Sequence, residues 1–132
     1  MIKIELNRLN DAFHFEAANE QGNKVHIDAS PDIGGTNQGM RPMQMLLAAM
    51  GGCSAIDLIN ILKKQKQDLK DIKITVTGER EKDAVPSLYV EVHAHFRLFG
   101  NIDKQKAEKA VNLAVEKYCS VAKTLEAVGE DV

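Results

Sequence analysis

Apolar and polar positions alternate with period two at the start of the chain. Ile2, Ile4 and Leu6, then Phe13, Phe15 and Ala17, then Val25 and Ile27 each fall on one side of an extended backbone. The pattern predicts three strands in a meander. Between the second and third, the stretch "NEQGN" predicts a three-residue loop that pairs Asn19 with Asn23 and holds Gly22 in the left-handed conformation. That register sets Phe15 against Ile27 and Ala17 against Val25, so one face stays apolar. A two-residue loop would set Phe15 against Asp28 instead.

The period then changes. "SPDIGGTNQG", Ser30 to Gly39, is dense in residues that favour turns and predicts a loop. After it, "RPMQMLLAAMGGCSAIDLINILKK" predicts one long helix, opening near Pro42 and running to about Gln67. Its apolar residues lie all round: Met43, Leu46, Leu47, Met50 and Leu58 on one side, Met45, Ala49, Ile56 and Ile59 elsewhere. Two more strands follow, one through Ile72, Ile74 and Val76 and one through Val90, Val92, Ala94, Phe96 and Leu98, joined across "EKDAVPS". A second helix is expected from Asp103, a good N-cap type, with Ala107, Ala110, Val111, Ala114, Val115 and Tyr118 as its apolar stripe and Cys119 at its end. A further short helix is expected over Ser120 to Val128.

This order, three strands, helix, two strands, helix or helices, predicts a single α+β domain over residues 1–132 with helices on one face of an antiparallel sheet. A helix that is apolar around its whole circumference is expected to be buried on every side. One five-stranded sheet does not enclose it, so a second subunit is expected to cover the remainder.

Composition narrows the function classes. The chain has 132 residues, 44% of them hydrophobic, and balances 17 basic against 19 acidic side chains. No cluster of Lys and Arg is interleaved with aromatics, so no nucleic-acid partner is expected. The N-terminus lacks the charged head and apolar block of a signal peptide, and Gly51, Gly52, Asp57 and Asn60 interrupt the central apolar run. A soluble cytoplasmic protein without a membrane partner is the expectation. In a reducing compartment its two cysteines, Cys53 and Cys119, are expected to be thiols rather than a permanent bridge.

The two cysteine segments, "RPMQMLLAAMGGCSAIDLINILKK" and "AVNLAVEKYCSV", resemble the OsmC/Ohr superfamily of osmotically inducible protein C and the organic hydroperoxide resistance proteins. "GGCSAID" with "EKYCSV" is more similar to the OsmC-like branch than to the hydroperoxide-resistance branch. The resemblance covers nearly the whole chain in its β3-α-β2-α(α) order. It implies an intertwined homodimer with the cysteine helices packed centrally between two sheets and a thiol peroxidase site at the subunit interface. It also implies that Cys53 is the peroxidatic and Cys119 the resolving cysteine. The chemistry is coherent on its own terms: a thiolate attacks a peroxide O–O bond, becomes a sulfenic acid, and a second thiol condenses with it to a disulfide. Expected partners are an organic hydroperoxide or another apolar small molecule, and a dithiol reductant.

A peroxidatic thiol reacts as the thiolate, which a nearby cation favours. Arg41, preceding the same helix, is the candidate, with Arg8 as the alternative from a swapped partner. The hydroperoxide-resistance enzymes carry a glutamate at the start of the cysteine helix to orient the arginine; Met43 stands at that position here, with Gln44 beside it. Gln44 offers an amide oxygen to an arginine but no charge-assisted pair. Met43, Gln44 and Met50 are the candidates for the substrate pocket. Gly51 and Gly52 are expected to let another backbone approach beside Cys53, and Asp57, on the same helix face as Cys53, is expected to cap or pair at the dimer seam.

His93 and His95 share one side of a strand, but without a paired Cys-x-x-Cys motif no metal is expected, and no cofactor either. His14 and His26 receive no role, with His26 facing Glu16 across strands. The alternative function is a non-catalytic dimer binding an apolar small molecule against its methionines.

Overall fold

The computed structural model describes residues 1–130, and the chain divides into two compact units, Met1–Leu46 and Leu47–Val132. The first unit is an antiparallel meander of β1 (Ile4–Arg8), β2 (Phe15–Asn19) and β3 (Lys24–Ile27), in the order β1-β2-β3. Its register is the one the alternation demands, with Phe15 opposite Ile27, Ala17 opposite Val25 and His26 opposite Glu16. At the turn Gly22 has φ 89°, and the Asn19 N–H donates to the Asn23 carbonyl at 3.1 Å. After β3 the chain loops out and returns beside it. Met40 forms a parallel bridge to Ile27, its N–H donating to the His26 carbonyl at 3.2 Å while the Asp28 N–H donates to the Met40 carbonyl at 3.1 Å. A Cβ on Gly39 would stand 2.5 Å from the His26 carbonyl group, so only glycine lets the returning backbone lie this close.

Helix α1 (Pro42–Lys64) opens at the end of the first unit and runs on into the second. In the second unit β4 (Asp68–Arg80) and β5 (Tyr89–Asn101) form a two-stranded antiparallel hairpin. Ile72, Ile74, Val76, Val92, Ala94, Phe96 and Leu98 are half-buried on one face, and Lys73, Thr75, His93, His95 and Arg97 are exposed on the other. Helix α2 (Lys104–Leu113) follows, with the Asp103 carboxylate accepting from the Lys106 N–H at 3.0 Å as its N-cap. Leu58 and Leu62 of α1 meet Ala110 of α2 and Ala114 just beyond it in a fully buried cluster, backed by Ile61, Leu69, Ile72, Phe96 and Leu98. This cluster fixes the C-terminal half of α1 against α2 and the hairpin.

The mixture of helices and antiparallel strands is the expected α+β class, but four features differ from the sequence pattern. First, the strands form two sheets rather than one of five. β2 is flanked on both sides within its own meander, while β4 and β5 pair along almost their whole length. Second, α1 ends at Lys64 rather than near Gln67. Lys66 turns left-handed at φ 57°, and the Gln67 N–H reaches back to the Leu62 carbonyl at 2.9 Å, which closes a Schellman-type end without glycine.

Third, the last helix does not run evenly to Cys119: after α2 the coil widens into a π-helical turn (Ala114–Tyr118), and α3 (Ser120–Glu130) begins afresh. Fourth, α1 is long and apolar enough, by length and composition, to cross a membrane, which its glycines and polar residues had been expected to prevent. Gly51, Ser54, Leu58 and Leu62 are nonetheless buried within the chain, as in a core helix.

Candidate functional site

Gly51 marks the side of α1 that meets the hairpin. A Cβ on Gly51 would lie 3.0 Å from Val76 Cγ2, so the missing side chain is what lets α1 approach β4 at this point. Ser54 is buried at the same level. Gly52 points elsewhere, with nothing within 4 Å of where its Cβ would be. It lies on an outward stripe with Ala49, Ile56 and Ile59, all exposed, Ile56 by 64%. The helix is therefore half covered by its own unit rather than buried on every side. Cys53 stands between these faces as a half-buried free thiol.

Cys119 reaches α1 from the other side of the chain's sequence. It is fully buried and also a free thiol, with extended backbone (ψ 100°) between the π-helical turn and α3. Its Sγ lies 3.9 Å from the Met50 carbonyl oxygen, which it approaches as a weak donor. Met50 precedes Cys53 by three positions, so both lie on neighbouring parts of one helix face. The same sulfur accepts the Ala122 N–H at 3.4 Å and the Cys119 carbonyl accepts the Lys123 N–H at 3.0 Å, so Cys119 occupies the N-cap of α3. The widened turn before it and the cap after it fix where the second thiol lies.

Both arginine candidates belong to the first unit, where neutral acceptors hold them. The Arg41 guanidinium donates to Asn37 Oδ1 at 2.9 Å and to the Gly39 carbonyl at 3.1 Å. Arg8 donates through Nε to the Ala12 carbonyl at 3.0 Å. Gln44 does not serve the guanidinium. Its Oε1 accepts the backbone N–H of Arg41 at 3.1 Å, which is the reciprocal half of a capping box at the start of α1. Met43 is half-buried in the first turn of α1, and Met50 is half-buried in the second unit.

The loop that presents Asn37 and Gly39 is organised by Asp28, a residue the sequence pattern did not single out. Asp28 is buried, and its carboxylate accepts the N–H groups of Ala29 (2.7 Å), Thr36 (3.2 Å) and Gln38 (3.0 Å) and the Thr36 hydroxyl (2.8 Å). The Gln38 N–H is the largest cause of a carboxyl pKa lowered to about 2; burial opposes it and the Thr36 and Ala29 donors add to it. Asn37 sits between two of these anchors at φ 57°, a left-handed conformation that Asn tolerates. An Asp at the end of a strand, followed by a turn-rich run, was the available signal.

Two histidine expectations also meet the structure. His14 Nε2 and His26 Nδ1 are hydrogen-bonded at 2.9 Å, a pairing that the cross-strand register alone did not reveal. His93 contacts Glu91 at 2.6 Å. Among the described residues, no group of three His, Cys, Asp or Glu side chains is arranged to hold a metal.

Comparison with known proteins adds a family. The family model described as OsmC-like protein matches residues 35–129. Protein YhfA of Escherichia coli strain K12 is 48% identical over 86 residues, which is 64% of this chain and 63% of that protein's length. A hypothetical protein from Aquifex aeolicus VF5 superposes with a TM-score of 0.81 at 32% identity, covering 96% of this chain and 88% of that one. An organic hydroperoxide resistance protein from Legionella pneumophila shares the fold with a TM-score of 0.68 at 16% identity, covering 95% and 88%.

Proposed function

This chain belongs to the OsmC-like protein family, and on that premise we propose that it is a thiol-dependent peroxidase for organic hydroperoxides, acting as a cytoplasmic homodimer in oxidative stress defence. The observation that carries this function is the buried Cys119 thiol beside the Met50 carbonyl, one turn before Cys53 on α1. The Cys53 thiolate attacks the O–O bond, takes one oxygen as a sulfenic acid and releases the alcohol. The Cys119 thiol then condenses with the sulfenic acid, losing water and leaving a disulfide that a dithiol reductant reopens. A nearby cation favours the thiolate, and Arg41, whose guanidinium is held by Asn37 and Gly39 within the first unit, is the candidate to supply it.

This reading includes a second copy of the chain. The outward stripe of α1, with Ala49, Gly52, Ile56 and Ile59 exposed, the two isoleucines by 64% and 42%, is an apolar face of the kind that marks an interface. Consumption of tert-butyl hydroperoxide with a dithiol reductant tests the function. Wild type should turn over and Cys53→Ser should not; equal rates in the two proteins refute it.

A further inference from the structure

The polar face of the meander carries two imidazoles that the peroxidase chemistry does not use. His14 Nε2 and His26 Nδ1 stand 2.9 Å apart, with His14 half-buried and His26 exposed to solvent. Both backbones are pinned. The His14 N–H donates to Asn10 Oδ1 at 3.1 Å, and the His14 carbonyl accepts the Leu9 N–H at 2.8 Å. His26 pairs with Glu16 across β2 and β3, and its carbonyl accepts the Met40 N–H at 3.2 Å. Glu16, two positions beyond His14, lies on the same face, where its carboxylate is ion-paired with Lys24 at 3.5 Å. Two ring nitrogens from separate segments are thus held together at a surface that water reaches.

We propose that His14 and His26 form a bidentate site for a divalent transition metal that takes imidazoles at right angles, nickel(II) or copper(II), independently of the thiol chemistry. Two ligands at a right angle on a metal 2.0–2.1 Å away stand about 2.9 Å apart, and a tetrahedral pair about 3.3 Å apart. The observed separation therefore suits square-planar or octahedral coordination rather than tetrahedral zinc. The rings now meet nearly end on, with centroids 5.1 Å apart and planes tilted by 38°. Binding needs each ring to turn its lone pair off the N···N line by about 45°, a movement open to side chains at the surface. The imidazole that donates the present hydrogen bond carries that hydrogen on its other ring nitrogen once the metal is bound. Water fills the remaining positions.

Binding is tested on the untagged, reduced full-length protein with nickel chloride, which leaves the cysteines unoxidised. Calorimetric titration in mildly alkaline buffer should reveal a saturable nickel site, and His14→Gln and His26→Gln should each weaken it about a hundredfold, the scale of a second tethered contact. Affinity should fall on acidification, because protons compete for both nitrogens. In nuclear magnetic resonance spectra, paramagnetic nickel should broaden the amide signals around His14 and His26 first. Zinc chloride should bind more weakly than nickel.

His93 and His95, the chain's other two histidines, supply the control. A nickel site whose affinity is unchanged in His14→Gln and His26→Gln, or that is lost in His93→Gln or His95→Gln instead, overturns the assignment. So does broadening centred on Cys53. A metal held by the folded pair stabilises the fold, so nickel should raise the thermal midpoint of wild type and leave that of His14→Gln and His26→Gln where it was. A wild type whose midpoint and calorimetric trace both ignore nickel means that the two rings share a hydrogen bond and nothing more. Tighter binding of zinc than of nickel overturns the right-angle geometry.

Discussion

The Cys119 sulfur lies 3.9 Å from the Met50 carbonyl, one turn before Cys53 on the same helix. Two thiols far apart in sequence are thereby brought to one segment of α1, with Cys119 enclosed and Cys53 half open. That asymmetry sets an order. In the proposed function peroxide meets Cys53 first, and Cys119 resolves it. Wild type treated with an organic hydroperoxide should therefore give an intramolecular disulfide, and Cys119→Ser should give a sulfenic acid on Cys53 that dimedone traps. Cys53→Ser should give neither. Mass spectrometry reads all three, and a sulfenate on Cys119 with Cys53 unmodified would reverse the assignment.

Arg41 is oriented by Asn37 and the Gly39 carbonyl, while Gln44 is occupied with the Arg41 backbone N–H. The place to add a carboxylate is thus position 37 rather than 43 or 44. Asn37→Asp keeps a residue that tolerates the left-handed backbone and turns the 2.9 Å bond into a charge-assisted one, roughly doubling its strength. It should raise hydroperoxide turnover a few-fold, and Asn37→Gly, which keeps the backbone and deletes the acceptor, should lower it by a similar factor. Gln44→Glu should alter helix stability more than rate. Turnover measured across neutral pH decides the matter; if position 44 controls the rate and position 37 does not, Asn37 has no positioning role.

Asp28 gives the first unit a definite pH dependence. Its carboxyl, lowered from 3.8 to about 2 by the Gln38, Thr36 and Ala29 donors, binds a proton less readily folded than unfolded. The resulting stabilisation is complete above the unfolded value and is lost as pH falls through the folded one. Amide exchange at Thr36 and Gln38 should accordingly accelerate as pH drops from about 4 towards 2, beyond the intrinsic pH effect. Asp28→Asn should expose the same amides at neutral pH and lower the thermal midpoint there, with the difference from wild type shrinking towards pH 2. A difference that stays constant across that range would mean the carboxylate charge is not what holds the loop.

What the sequence revealed depended on whether a periodic pattern carried the information. The β2–β3 register followed from alternation, because the two-residue-loop register would have placed Asp28 opposite Phe15, and Gly22 marked the turn. The Asp103 cap was visible as a residue type before an apolar stripe. The end of α1 was not, because Lys66 takes the left-handed position that glycine usually signals. The π-helical turn before Cys119 was hidden because the apolar stripe of α2 continues through it without interruption. Asp28, Asn37 and the His14–His26 pair act through loop closure and side-chain reach, which have no period. The flanks of β4 extend past the residues that alternate clearly, since "DLKD" and "TGER" offer few apolar positions to count.

The adjacent glycines should respond with opposite dependence on assembly. In a helix interior, Gly→Ala contributes about 1 kcal/mol through propensity alone. At Gly51 that gain meets a Cβ only 3.0 Å from Val76 Cγ2, and overpacking of this kind costs about 1–3 kcal/mol. Gly51→Ala should therefore leave the folded chain between unchanged and about 2 kcal/mol less stable, at any protein concentration. At Gly52 the space is open within the chain, so Gly52→Ala should stabilise the helix unless a second copy packs against it. If the outward stripe of α1 is the dimer face, the new methyl group separates the two copies. Gly52→Ala should then weaken association and lower the thermal midpoint at a given protein concentration. Sedimentation equilibrium beside thermal melts at several concentrations reads both effects. A Gly52→Ala protein that is more stable than wild type and dimerises equally well would place the interface on another face.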